Sequence, residues 1–236
     1  MFGWSFSGNK LDLSVDIHSH LIPNVDDGSK SVEETVNILQ NFEELGIKKV
    51  ITTPHIYADV YPNTEEFLTE RYEALLPFLK EAGISIDLRL GAEYFCDENF
   101  LKKIKSKKKL LSFGDNYVLV ETSFYTKPIM FQEVFFELQS QGYKPILAHP
   151  ERYQYLEDSL EWLESIVENG VILQVNWGSL IGAYGKLPRK IAQKLLKKGL
   201  VTFMGSDLHR ENQLEGFKKA LDTKIQTETI QNDQLI

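Results

Sequence analysis

The chain has 236 residues, of which 42% are hydrophobic and 25% charged, enough to bury a sizeable core as one soluble globular domain. Its 26 Lys+Arg against 34 Asp+Glu leave a net charge of −8, which disfavours nonspecific binding to nucleic acid or to an anionic membrane surface. The single cysteine, Cys96, rules out a disulfide framework and a cysteine-rich zinc module, and no apolar run approaches the roughly 18–20 residues of a membrane span. The opening MFGWSFSGNKLD has neither a basic n-region nor a continuous apolar h-region, so a cytoplasmic location is expected.

Short β-branched runs alternate with longer amphipathic stretches. Strands are predicted at 13–18, 48–53, 85–92, 117–121, 144–149, 171–176 and 200–206. The intervening pattern predicts helices at 31–46, 63–83, 98–106, 128–142, 158–170, 188–199 and 211–221, several of them opened by Ser, Asn or Asp and many closed by Gly. Strict alternation implies a parallel sheet with helices outside it. Seven units without a Pro/Ser linker favour a closed or nearly closed barrel over an open doubly wound sheet. The whole of 1–236 reads as one domain, with a core of about 13–221 and a polar tail that is expected to fray. The one basic run, KKIKSKKK at 102–109, reads as a solvated face.

Every histidine (His18, His20, His55, His149 and His209) falls at or just past the C-terminal end of a predicted strand. In a parallel α/β protein that edge is where groups from separate strands converge on a ligand. Asp16, Glu93, Glu121 and Asp207 hold similar positions. One such residue alone is ordinarily a cap or a satisfied core group; the set together points to a site. Residues i and i+2 of a strand face the same way, so His18 with His20, and Asp207 with His209, can address one centre. Imidazole and carboxylate together suit Zn, Mn or Fe. Their number exceeds what one tetrahedral ion needs and implies two or three ions. No GxxxxGK[ST] loop, GxGxxG turn or GxSxG elbow is present. Cys96 also lacks the arginine six residues on that a cysteine phosphatase loop requires, since Lys102 stands there.

In chain order, the blocks DIHSHLIPNVDDG, ITTPHIY, GAEYF, ETS, LAHPERY, QVNWGSLIGAYG and GSDLH resemble the motifs of the PHP (polymerase and histidinol phosphatase) superfamily. More closely, the chain resembles the bacterial metal-dependent protein-tyrosine phosphatases of capsule and exopolysaccharide operons, over roughly residues 15–210. The resemblance implies a distorted (β/α)7 TIM-like barrel with three metal ions, usually manganese or iron. It implies His18, His20, Glu93 and Asp207 around one ion, Glu93, Glu121 and His149 around a second, and Asp27, His55 and His209 around a third. Arg152 matches the family's phosphate-contacting arginine, Asp16 is expected to orient a ligand imidazole, and Asp26 to serve a turn or cap. Two departures stand out. The later phosphate-binding arginine is missing unless Arg210 replaces it, and Ala183 stands where the GSLxGxYG block usually has arginine.

The chemistry so implied is phosphomonoester hydrolysis, with Arg152 clamping phosphate and either His55 or Asp207 protonating the leaving group. The implied substrate is the phosphotyrosine tail of a bacterial tyrosine autokinase that controls polysaccharide synthesis. The loops 57–64 and 123–128 are candidates to shape its groove. The same scaffold also suits a small-molecule phosphatase, such as one for histidinol phosphate, or a metal-bound regulator without catalysis.

Overall fold

A computed structural model describes residues 14–156, 160–224 and 229–235. Nine strand segments build the barrel: β1 (Val15–Asp16), β2 (Lys49–Thr52), β3 (His55–Ile56), β4 (Asp87–Leu90), β5 (Glu93–Phe95), β6 (Tyr117–Glu121), β7 (Lys144–Ala148), β8 (Ile172–Asn176) and β9 (Phe203–Gly205). All pairings between these segments are parallel. They run β1-β2-β4 in one sheet and β3-β5-β6-β7-β8-β9 in the other.

The seven predicted strands are thus present, and two further segments, β3 and β5, follow beyond the predicted ends. The 48–53 strand is β2, and β3 resumes after Thr53–Pro54, where proline has no N–H to give the ladder. The 85–92 strand is β4, and β5 resumes after Gly91–Ala92. The two sheets stay joined across the breaks, Gly91 N–H bonding to Thr52 O at 2.8 Å and Glu93 N–H to Pro54 O at 3.1 Å.

The last strand lies beside the first. Asp207 N–H donates to His18 O at 2.8 Å, His20 N–H donates to Leu208 O at 2.9 Å, and Ser19 and Leu208 form a parallel bridge. On the other side, Thr53 N–H donates to Ser19 O at 2.7 Å. The strand order therefore returns on itself.

Among the described residues eight α-helices surround the strands: α1 (Val32–Glu44), α2 (Glu65–Glu81), α3 (Glu98–Lys105), α4 (Phe131–Ser140), α5 (Glu161–Glu168), α6 (Trp177–Ile181), α7 (Lys186–Lys197) and α8 (Leu214–Leu221). Ser31, Thr64 and Asp97 cap α1, α2 and α3 by accepting a backbone N–H three residues on. The start predicted for α5 lies partly outside the described residues. Helix α6 was not predicted: a five-residue turn straight after a strand is too short to show helical periodicity. The basic run is the outer face of α3 and the loop after it, where Lys103 pairs with Glu65 at 2.6 Å and Lys105 with Glu133. Among the described residues no helix is long and apolar enough to cross a membrane.

Two cores result. A large one fills the space between strands and helices; a small one, Val15, Ile17, Ile51, Phe113, Leu119, Ile146, Ala148 and Phe203, fills the lower barrel. The inward rows continue upward from this floor at strand spacing. Leu119 is followed two residues later by Glu121, Ile172 by Gln174 and Asn176, and Phe203 four residues later by Asp207. One alternation thus sets an apolar floor under a polar centre.

The tail does not wholly fray as expected. Residues 229–235 include a short 3-10 turn, Asn232–Leu235, that docks beneath the barrel with Asn232 buried.

Candidate metal centre

The five histidines, with Glu93, Glu121, Asp207 and Asp27, meet at the C-terminal end of the barrel. His18 and His20 follow β1, His55 opens β3, Glu93 opens β5, Glu121 ends β6, His149 follows β7, and Asp207 and His209 follow β9. Two of these residues hold left-handed backbone although neither is glycine: His149 at φ +31° and Asp207 at φ +50°. Such strain clusters at functional sites, and here both residues lie where a strand ends and the chain turns. Two glycines make room. A Cβ on Gly28 would lie 2.3 Å from His20 O, and one on Gly205 would lie 2.7 Å from the His18 Cβ.

Glu93 sits at the middle. Its Oε2 lies 3.1 Å from His18 Nε2, 3.3 Å from His20 Nε2 and 3.3 Å from His55 Nδ1, while its Oε1 lies 3.1 Å from His149 Nε2. Asp207 Oδ1 lies 3.4 Å from His18 Nε2 and 3.5 Å from His209 Nδ1. Glu121 faces His55 at 3.3 Å and His149 at 4.0 Å. Asp27 stands 3.6 Å from His55 Nε2 and 3.5 Å from His209 Nε2. Four overlapping groups have ligand atoms close enough to share an ion: His18–His20–Asp207, His18–Glu93–His149, His55–Glu93–Glu121 and His20–Asp27–His55–His209.

These donors fit metal ions. His18 Nδ1 donates to Gln174 Oε1 at 2.9 Å and His20 Nδ1 to Asp26 Oδ2 at 2.8 Å, so each ring turns Nε2 inward. The two Nε2 atoms lie 3.3 Å apart, where neutral lone pairs repel unless positive charge lies between them. His55 Nδ1 is buried and close to two carboxylates, yet hydrogen-bonded to neither.

The titration behaviour tells the same story. Burial opposes charge on His18, yet the Glu93 and Asp207 carboxylates outweigh it and raise its pKa. Despite burial, the imidazoles of His18 and His55 hold Glu93 well below the carboxylate range. Burial and the charges of Glu93 and Asp207 push Glu121 well above it. Two carboxylates driven apart in this way call for cations between them.

The flanking aspartates exchange their expected roles. Asp16 does not orient an imidazole: its carboxylate accepts Ser206 N–H at 2.7 Å and Ser206 Oγ–H at 2.6 Å, and burial pushes its pKa up to about 6. Asp26, expected only to cap a turn, accepts His20 Nδ1–H and, at 3.0 Å, His55 N–H, while its other oxygen takes Gly28 N–H at 2.9 Å. Gln174 and Asn176 join the site without being predicted by any motif. Gln174 orients His18, and Asn176 Nδ2 donates to Asp207 Oδ2 at 2.7 Å. Their trace in the sequence is two amides at i and i+2 in the otherwise apolar VILQVN.

Beside this centre opens a cleft of about 530 Å³. Arg152 lines it and donates from Nη1 to Asp207 Oδ2 at 2.6 Å. Arg210 does not join it: its Nε donates to Glu34 Oε1 at 2.8 Å, towards α1. Ala183 faces a neighbouring groove behind Tyr184. Parts of both candidate loops line the cleft, through Tyr57, Val60 and Tyr61 and through Ser123, Phe124 and Tyr125. Both expected proton donors, Asp207 and His55, line the cleft. Asp207 accepts bonds from Arg152 and Asn176 and is held ionised by His18, His209 and Arg152 despite burial. Burial, together with His20, pushes His55 down to about 4.

Fold and site define a parallel α/β-barrel protein whose strand ends carry a histidine–carboxylate cluster able to hold metal ions. The chain belongs to the CpsB/CapC family of capsular polysaccharide synthesis, whose pattern matches residues 14–231. It is 31% identical over 196 residues to the tyrosine-protein phosphatase YwqE of Bacillus subtilis, covering 83% of this chain and 77% of that one. It is 28% identical over 201 residues to the tyrosine-protein phosphatase CpsB of Streptococcus pneumoniae, covering 83% of this chain and 82% of that one. A solved structure from work on YwqE and CpsB, described as unique metal-dependent tyrosine phosphatases, superposes with a TM-score of 0.79 at 29% identity, covering 88% of this chain and 86% of that one. An amidohydrolase from Mycoplasma synoviae, at TM-score 0.51 and 15% identity over 90% of this chain and 77% of that one, shares the fold alone.

Proposed function

We propose that this chain is a metal-dependent protein-tyrosine phosphatase acting on the phosphotyrosine tail of a bacterial tyrosine autokinase. The observation that carries the reading is the convergence of five imidazoles and four carboxylates next to an open cleft that Arg152 lines. The naming of the relatives as tyrosine phosphatases supports it.

Three ions are proposed, manganese first, with iron or zinc compatible with the same donors. His18, His20, Glu93 and Asp207 would hold one, Glu93, Glu121 and His149 a second, and Asp27, His55 and His209 a third. When bound, such ions lower the pKa of water towards neutrality and draw charge from phosphoryl oxygens.

The chain's own residues do the rest. Arg152 has N–H groups left over from its bond to Asp207 and offers them to the phosphate. Tyr57 stacks on Phe95 with centroids 3.9 Å apart, and Tyr61 stacks on His55 at 5.2 Å. These rings wall the cleft where a phenol would lie. The departing phenol, with a pKa of about 10, needs only a weak general acid, and His55 or Asp207 is proposed for that role.

The test is phosphate release from a phosphotyrosine peptide and from histidinol phosphate, beside metal analysis of the purified protein. Manganese-dependent turnover of the peptide is expected, lost on chelation and restored by Mn²⁺. Full activity after exhaustive chelation would sink the metal mechanism. Preference for histidinol phosphate would establish the small-molecule reading, and silence on both with metal bound would establish the regulator. Iodoacetamide should leave activity intact, because Cys96 is buried and its thiol is pushed up to about 12.

A further inference from the structure

The guanidinium of Arg152 is gripped by two aromatic rings from different segments. Its central carbon lies 4.5 Å from the Phe124 ring centroid and 4.3 Å from that of Tyr184. Phe124 comes from the loop after β6, where its carbonyl accepts Gln154 N–H at 2.7 Å, two residues beyond the arginine. Tyr184 comes from the turn after α6. A Cβ on Gly178 would lie 3.2 Å from its ring, so the ring is seated against bare backbone. The third contact is the bond from Nη1 to Asp207.

We propose that Phe124 and Tyr184 are positioning residues that fix the plane and direction of the Arg152 guanidinium towards the cleft. The inference rests on the phosphatase reading for its purpose, while its geometry concerns this chain's side chains alone. An arginine on a flexible stem must be ordered before its flat fork can meet a phosphate, and that ordering costs affinity. Rings over the guanidinium supply the order through cation–π attraction and leave the N–H edge free. The need is sharper here because Arg210 is tied to Glu34 and Ala183 carries no charge, so among the described residues Arg152 is the one arginine lining the cleft. Tyr184 contributes its ring rather than its hydroxyl, which takes only a long 3.5 Å approach from Asn176 Nδ2 among the described residues.

The experiment uses the metal-loaded full chain with p-nitrophenyl phosphate as substrate and inorganic phosphate as competitive inhibitor, phosphate binding being measured separately by calorimetry. Tyr184→Leu and Phe124→Leu are each expected to weaken phosphate binding and raise KM by about 5- to 30-fold, the range of a partly desolvated cation–π contact. Metal content should hold at the wild-type level. Tyr184→Phe should recover most of the loss. In an Arg152→Met background the leucine substitutions should add little, because the partner they position is gone.

Equal losses with and without Arg152 would overturn the proposal, as would leucine variants that bind phosphate like the wild type. A leucine variant that misfolds, judged by circular dichroism, leaves Tyr184→Phe and the other ring to decide: failure of Tyr184→Phe to bind phosphate like the wild type overturns the ring's role. If the wild type binds phosphate but hydrolyses no ester, the phosphatase reading fails and the calorimetric arm still decides this one.

Discussion

The seam between the first and last strands is stitched differently at its two ends. At the catalytic end the backbone does the work, through Asp207 N–H to His18 O and His20 N–H to Leu208 O. At the other end the backbones part, and a side chain fills the gap. Asn232 Nδ2 donates to Val15 O at 2.8 Å and Met204 O at 2.7 Å, and its Oδ1 accepts Met204 N–H at 2.9 Å. Asp16 and Ser206 add the next rung. The lower end therefore leaves its polar groups satisfied, while the upper end keeps imidazoles and carboxylates in unresolved conflict around Glu93. The same seam serves stability below and reactivity above, because backbone stitching frees side chains for chemistry and side-chain stitching uses them up.

Glu93→Gln should break the upper end most severely. It removes the one carboxylate that faces His18, His20, His55 and His149 together. Losing a shared ligand of this kind should cost about 4 kcal/mol of transition-state stabilisation, roughly a thousandfold in turnover. Metal analysis beside kcat on an aryl phosphate checks it; near-normal kcat with full metal content would show that the conflict is structural only. Asn232→Ala tests the lower end. It leaves buried Val15 O and both backbone groups of Met204 short of a partner, for a loss of about 3 kcal/mol in unfolding free energy. Urea denaturation reads the loss, and turnover per folded molecule should not change. A fall in kcat to match would mean that the two ends are coupled.

Much of the upper end was legible in the sequence, because it rests on residue types that rarely gather by chance. The strand-end histidines, Glu93, Glu121 and Asp207 all reach one centre, as alternation on parallel strands requires. What stayed hidden depends on contacts distant in the chain. Nothing in TETIQNDQLI says that Asn232 will serve as a surrogate rung more than 200 residues after Val15. Arg210 looked suited to the cleft by its place beside His209, but its partner, Glu34, lies 176 residues away. Interruptions at Pro54 and Gly91 shifted strand ends without moving the side chains that matter.

The smallest expected effect compares the two aspartates that flank His18 and His20. Asp26→Asn keeps the size of the side chain but removes the charge that holds His20 Nδ1–H and His55 N–H. A weaker outer carboxylate leaves the imidazole less basic and less firmly aimed, at a typical cost of about 10- to 100-fold in metal affinity. The Mn²⁺ concentration for half-maximal activity should rise by that factor, and excess metal should restore most of the turnover. Asp16→Asn is the contrasting change. Its partners are the backbone and hydroxyl of Ser206, and an amide can still accept the backbone N–H while the hydroxyl turns to accept in its place. Half-maximal Mn²⁺ should stay where it is in the wild type. If Asp16→Asn moves the metal requirement as far as Asp26→Asn does, the division between a satisfied seam and a reactive centre does not extend into the first strand.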